Sequence, residues 1–141
     1  MISLVNINLT RCALIFFLFT IFFSQVTYAS SKTIEPKIIE YASSPYKVKN
    51  GWVCIPKGEI DLSIEVRAEN TSKIFFYLTP TGTNTFSKRK LIASSEEENG
   101  IFKINHTFNK NESILYHLSV DAVGKNGQST SDILFNISRC E

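Results

Sequence analysis

Histidine is scarce in this sequence, with only His106 and His117 among 141 residues. A structural zinc site takes four ligands, and two distant histidines with three cysteines do not supply one, so no metal and no cofactor is expected. Charge of one sign is missing as well. Fifteen Lys and Arg against thirteen Asp and Glu leave a formal charge of +2, with the signs mixed along the chain. That balance excludes nucleic acid and polybasic membrane contact as partners. No apolar run reaches the roughly 20 residues of a membrane helix. No serine or cysteine sits in a nucleophile motif, no segment carries helical periodicity, and there is no internal repeat.

What is present begins with a targeting signal. Met1 to Arg11 carries one basic residue and no acid, Ala13 to Phe23 (ALIFFLFTIFF) is apolar apart from Thr20, and Thr27-Tyr28-Ala29 places small residues at −3 and −1. This order predicts a cleaved secretory signal peptide over 1–29. The alternative is an uncleaved N-terminal anchor, with membrane contact limited to that segment and the same domain outside. Cys12 precedes the apolar run and follows Arg11, the reverse of a lipoprotein cysteine, so lipid attachment is not expected. The expected location is therefore secreted, extracellular or at the cell envelope. Residues 30–141 suit one domain with a real core. Loss of Arg11, the one charged residue in 1–29, takes the net charge from +2 to +1.

Cys54 and Cys140 remain after residue 29. In an oxidising compartment two cysteines become one disulfide, here a staple on a folded domain. The rival readings are two free thiols, or an intermolecular bridge through Cys140.

Strand signals follow one another at short intervals. Ser30 to Pro45 reads as an extended N-terminal leader or edge strand, and 46–141 as the folded domain. Tyr46 to Ile55 is a strand interrupted at Asn50-Gly51 and closed by Pro56-Lys57-Gly58. Ile60, Leu62, Ile64, Val66 and Ala68 alternate with polar residues, the period of a strand with one buried face. In Lys73 to Thr79, Ile74, Phe76 and Leu78 take one face and Phe75 and Tyr77 the other, as in a strand central to a sheet. Lys88 to Ala93 is a short strand and Ser94 to Gly100 an acidic solvated loop. Ile101 to Phe108 is a strand with Phe102, Ile104 and Phe108 inward. Ile114 to Val123 and Ser129 to Arg139 flank Gly124-Lys125-Asn126-Gly127 as a hairpin. About seven short strands without helices predict an all-β, two-sheet antiparallel sandwich. In such a sandwich the first strand runs parallel to the last, which brings Cys54 and Cys140 to one pole.

Three stretches carry a family likeness: Ile60 to Ala68; Lys73-Ile74-Phe75-Phe76-Tyr77-Leu78-Thr79-Pro80-Thr81-Gly82-Thr83; and Tyr116-His117-Leu118-Ser119-Val120-Asp121-Ala122-Val123-Gly124-Lys125-Asn126-Gly127. Together they resemble the immunoglobulin-like and fibronectin type III-like modules of bacterial secreted and surface proteins, over about Val48 to Ile137. The resemblance implies an immunoglobulin-like sandwich. It implies little about function, because such modules act as spacers, binders and accessory domains. Unlike antibody-type domains, neither the Ile60 nor the Tyr116 strand carries a cysteine.

Candidate sites are few. His106 and His117 fall in strands and read as structural; catalysis would require one of them to meet a carboxylate in a pocket. Glu96-Glu97-Glu98-Asn99 reads as a solvated loop, since consecutive acids diverge where calcium wants converging oxygens. Trp52 offers an aromatic face for a sugar or a partner. Thr81, Asn84, Lys125 and Asn126 sit on turns, where recognition residues concentrate. Asn70, Asn105, Asn111 and Asn136 head Asn-x-Ser/Thr sequons, which matter only in a eukaryotic secretory pathway. The expected function is a secreted, non-enzymatic β-sandwich acting as a binding or adhesion unit toward a protein or glycan. The alternative is a structural or accessory subunit of a secreted complex.

Overall fold

A computed structural model describes residues 34–140. The segment predicted as signal peptide, with Cys12, lies outside the described residues. Eight strands make up the fold: β1 (Lys37–Ser44), β2 (Trp52–Ile55), β3 (Ile60–Glu69), β4 (Lys73–Pro80), β5 (Lys90–Glu96), β6 (Ile101–Phe108), β7 (Leu115–Val123) and β8 (Ser129–Arg139). They form a three-stranded sheet, β1-β3-β6, facing a five-stranded sheet, β2-β8-β7-β4-β5. All pairings are antiparallel except β2 with β8.

The expected all-β sandwich is the observed architecture, and its core follows from the alternation read in the sequence. Leu62, Ile64 and Val66 of β3 are fully buried against Ile74 and Phe76 of β4, Phe102 and Phe108 of β6, and Leu118 and Val120 of β7. β4 lies between β7 and β5, where its outer residues Phe75 and Tyr77 are half-buried on the sheet surface.

Several boundaries differ from expectation, each for a local reason. The strand expected over Tyr46 to Ile55 shortens to Trp52–Ile55. Asn50 and Gly51, both at positive φ, make a two-residue turn that bonds Lys49 to Trp52 in both directions. The acidic segment is partly strand: β5 continues through Glu96, and Asn99-Gly100, again both at positive φ, turn the chain between Glu98 and Ile101. Backbone conformation at these Asn-Gly pairs, accessible to Asn and Gly at little cost, decides where the strands stop. An eighth strand exceeds the expected seven because Lys37–Ser44 pairs with β3 along most of its length. Only Ser43 of that strand is buried, so its own pattern gives no period to read.

At one pole β2 and β8 end side by side. Cys54 and Cys140 are disulfide-bonded with Cα atoms 5.4 Å apart, within the usual range for such a bond. The Cys140 N–H donates to Ile55 O at 2.9 Å. At the other pole Gly124 closes β7 under close approach from two other segments. A Cβ there would stand 2.9 Å from the carbonyl oxygen of Asn70 and 3.2 Å from Pro36 Cγ. Gly124→Ala is therefore expected to cost about 1–3 kcal/mol by overpacking, read as a lowered midpoint in a thermal melt; an unchanged midpoint would mean that the turn at Asn70 and the 34–36 segment both yield freely.

Candidate functional site

The turn and aromatic candidates do not form one surface. Thr81 and Asn84 follow β4 at the disulfide pole, where the Thr81 N–H bonds Leu115 O at 3.0 Å. Lys125 and Asn126 cap the opposite end of β7, nine residues away along the strand, or roughly 30 Å. Asn126 is consumed by its own turn and by Ile34: its amide donates to Ile34 O and Gln128 Oε1, both at 3.2 Å, and its Oδ1 accepts from Gln128 N at 3.1 Å. Lys125 is exposed. Trp52, 41 % exposed, stands on the outer face of the five-stranded sheet, because its neighbour Val53 points inward.

The structure brings together a set that sequence reasoning missed. Between the two sheets, where β5 and β6 are edge strands, opens a cleft of about 520 Å³. Leu78 and Pro80 of β4 and Ile92 of β5 form its apolar floor; His106 and Thr107 of β6, Lys88 and Lys90, the 109–112 turn and Tyr116 of β7 surround it. His106 faces the cleft because it shares parity with Phe102 and Ile104. Its ring meets Phe108 edge-on with centroids 4.7 Å apart.

The electrostatics of this cleft follow from its walls. Burial holds the His106 imidazole below its ordinary pKa of 6.5; the Glu112 charge acts in the opposite sense and Lys90 reinforces the lowering. Glu112 is fixed in place, accepting from Asn109 N at 3.3 Å and from the Tyr116 hydroxyl at 3.2 Å. Burial first, and then the Glu112 carboxylate, push the Tyr116 phenol above its usual value, so it stays a proton donor at neutral pH. Arg139 ties the turn down by bonding Asn109 O at 2.6 Å and Pro56 O. Among the described residues neither Lys88 nor Lys90 forms an ion pair.

The arrangement supplies an uncharged imidazole, a carboxylate fastened to a phenol, and two cations at the rim. Chemically it can hold an anionic group and accept a proton beside it. No group of three His, Cys, Asp or Glu able to hold a metal occurs among the described residues. His117 lies elsewhere, on the outer face of β7, with Nδ1 2.5 Å from Asn136 Oδ1. The one available signal was the parity of His106 with the core residues of its strand. Glu112, six positions on, could not be placed beside it without knowing where the sheets part.

No family model matches the chain, and no curated protein does. Among solved structures, the catalytic domain of LPMO Lmo2467 from Listeria monocytogenes is similar, with 15 % identity and a TM-score of 0.42 over 71 % of this chain and 64 % of that one. That neighbour is a catalytic domain. The chain spans less than two thirds of its length, and the likeness transfers no activity.

The expectation of a non-enzymatic protein is corrected at this point. The cleft unites a histidine with a carboxylate, the combination whose absence from the sequence had spoken against catalysis. The reading of the whole protein as a non-enzymatic binding or adhesion unit, and its accessory-subunit alternative, go no further.

Proposed function

We propose that the inter-sheet cleft is a substrate site in which His106 acts as a general base on an anionic small molecule held by Lys88 and Lys90. The observation that carries this reading is the imidazole itself: half-buried, shifted toward its neutral form, and lining one cleft with the Glu112–Tyr116 pair and two unpaired lysines. A base with a pKa near or below neutral is free to accept a proton at working pH. The lysines neutralise charge that builds up on the bound anion as the proton leaves. Tyr116, kept protonated, donates to Glu112 and holds that carboxylate toward the cleft wall.

We also read the chain as a secreted, immunoglobulin-like domain released from its 1–29 signal peptide. The order β1-β3-β6 against β2-β8-β7-β4-β5 supports the family likeness, and a disulfide supports an oxidising compartment.

The test is an NMR titration of the His106 ring with and without small carboxylates and phosphorylated sugars. Without ligand, its midpoint is expected below 6.5; Lys90→Gln is expected to raise it, since that cation disfavours a second positive charge nearby. A bound anion is expected to raise it too, and the double substitution K88A/K90A to weaken that binding by about tenfold. A His106 midpoint at or above 6.5, insensitive to Lys90→Gln and to every anion tried, would refute the reading.

A further inference from the structure

A second concavity lies on the opposite side of the β7–β4 region, on the outer face of the five-stranded sheet. It encloses about 370 Å³ between the 82–86 loop and strands β7 and β8. Phe86 and Ile133, 67 % and 62 % exposed, are its apolar walls, and Asn84, Thr85, His117 and Ser119 are its polar groups. None of its lining side chains is a carboxylate, lysine or arginine. The nearby Arg89 is already spent: its guanidinium lies between the rings of Tyr77 and Phe86, 4.2 and 4.7 Å from their centroids, and pairs with Asp121 at 3.1 Å. Asp121 in turn accepts from Ser131 at 2.7 Å. That network pins Phe86, and the loop with it, onto the sheet.

Two polar atoms in the groove are prepared for a guest. Ser119 Oγ is buried and has no hydrogen-bond partner, a state that costs stability unless something completes it. His117 is held through Nδ1 by Asn136, which leaves Nε2 as its remaining hydrogen-bonding atom. The row continues outward by strand register, Thr79 beside His117, His117 beside Asn136, Asn136 beside Trp52. The exposed indole thus lies two strands, or roughly 10 Å, beyond His117 on the same face.

We propose that this groove binds a neutral sugar residue of a glycan chain, with Phe86 and Ile133 against the apolar face of the ring and Ser119, His117 and Asn84 on its hydroxyls. Trp52 provides a second stacking platform for a further sugar unit. With no lysine or arginine in its lining, the groove does not suit the anionic ligand proposed for the cleft. A peptide is the poorer fit, since the backbone groups beneath the groove are engaged in the β4–β7–β8 ladders and a strand needs free edge groups to pair with.

The test is titration of the isotope-labelled, oxidised protein with cellotetraose, mannotetraose and chitotetraose, followed at the backbone amides. One of the three is expected to give saturable shifts at Asn84, Thr85, Phe86, His117 and Ser119. Phe86→Ala is expected to weaken that binding roughly tenfold. Ser119→Ala is expected to weaken it roughly three- to tenfold while leaving the thermal midpoint unchanged or raised, because it removes an unsatisfied buried hydroxyl. A structural role for Ser119 would do the reverse, lowering the midpoint and sparing affinity. No saturable shift with any of the three sugars up to about 10 mM, or shifts confined to the His106 cleft, would overturn the proposal.

Discussion

Replacing Cys54 and Cys140 together by alanine is expected to lower the stability of the domain by about 4–5 kcal/mol, the chain entropy released when a loop of this length is opened. The two cysteines are 86 positions apart, so the bond closes most of the described chain. Against the roughly 5–15 kcal/mol that holds a domain of this size folded, the loss brings the protein close to its unfolding threshold. The effect has a local side as well. β2 is four residues long and pairs only with β8, and the same pole carries Arg139 and the turn that positions Glu112. Loosening it is expected to free the Glu112 carboxylate before the rest of the core yields. Chemical denaturation of the oxidised wild type and of the double variant decides the matter. A shift in midpoint with an unchanged slope reports a global loss. If the global transition does not move and only β2 amides lose protection from exchange, the bond staples one strand and contributes little to the fold.

Phe102→Ala is expected to cost about 3–5 kcal/mol, the range for emptying a fully buried aromatic site. Phe102 is fully buried in β6 and faces Val66 across the β3–β6 ladder. β6 is an edge strand with β3 as its one bonded neighbour, so its place rests on the core contacts of Phe102, Ile104 and Phe108. His106 belongs to the same row. The substitution is therefore expected to disturb the cleft wall besides lowering stability, and the His106 titration midpoint should move up toward 6.5 as water reaches the ring. Equilibrium unfolding in urea together with the ring titration checks both halves. A loss under about 1 kcal/mol would mean that the core collapses around the site without a cavity.

Legibility followed the physics of each segment. β3 was plain because Ile60, Leu62, Ile64, Val66 and Ala68 repeat at the strand period, and β4 because Phe75 and Tyr77 make even its outer row apolar. The hairpin at Gly124 to Gly127 was readable from turn chemistry alone. β1 was ambiguous because its residues alternate against nothing; it is held by the ladder to β3. Glu96 misled because an outward strand position tolerates a carboxylate as readily as a loop does. At the cleft, the parity of His106 was visible, yet parity says only that a side chain points between the sheets. Whether it meets core or an opening there depends on β5 and β6 being edge strands of different sheets.

Strand periodicity, the all-β class, the tight turns and the two cysteines left downstream of residue 29 are legible in the amino-acid order alone, because each depends on neighbours a few positions away or on simple counting. Folding alone brings Cys54 and Cys140 to 5.4 Å apart, puts His106 in a cleft with Glu112, Tyr116 and Lys90, and sets Asn84 and His117 across a groove while Asn126 is spent on its own turn and on Ile34. Those relations join strands whose distance in space is set by sheet order and by the gap between two packed faces, and no local pattern of side chains encodes either.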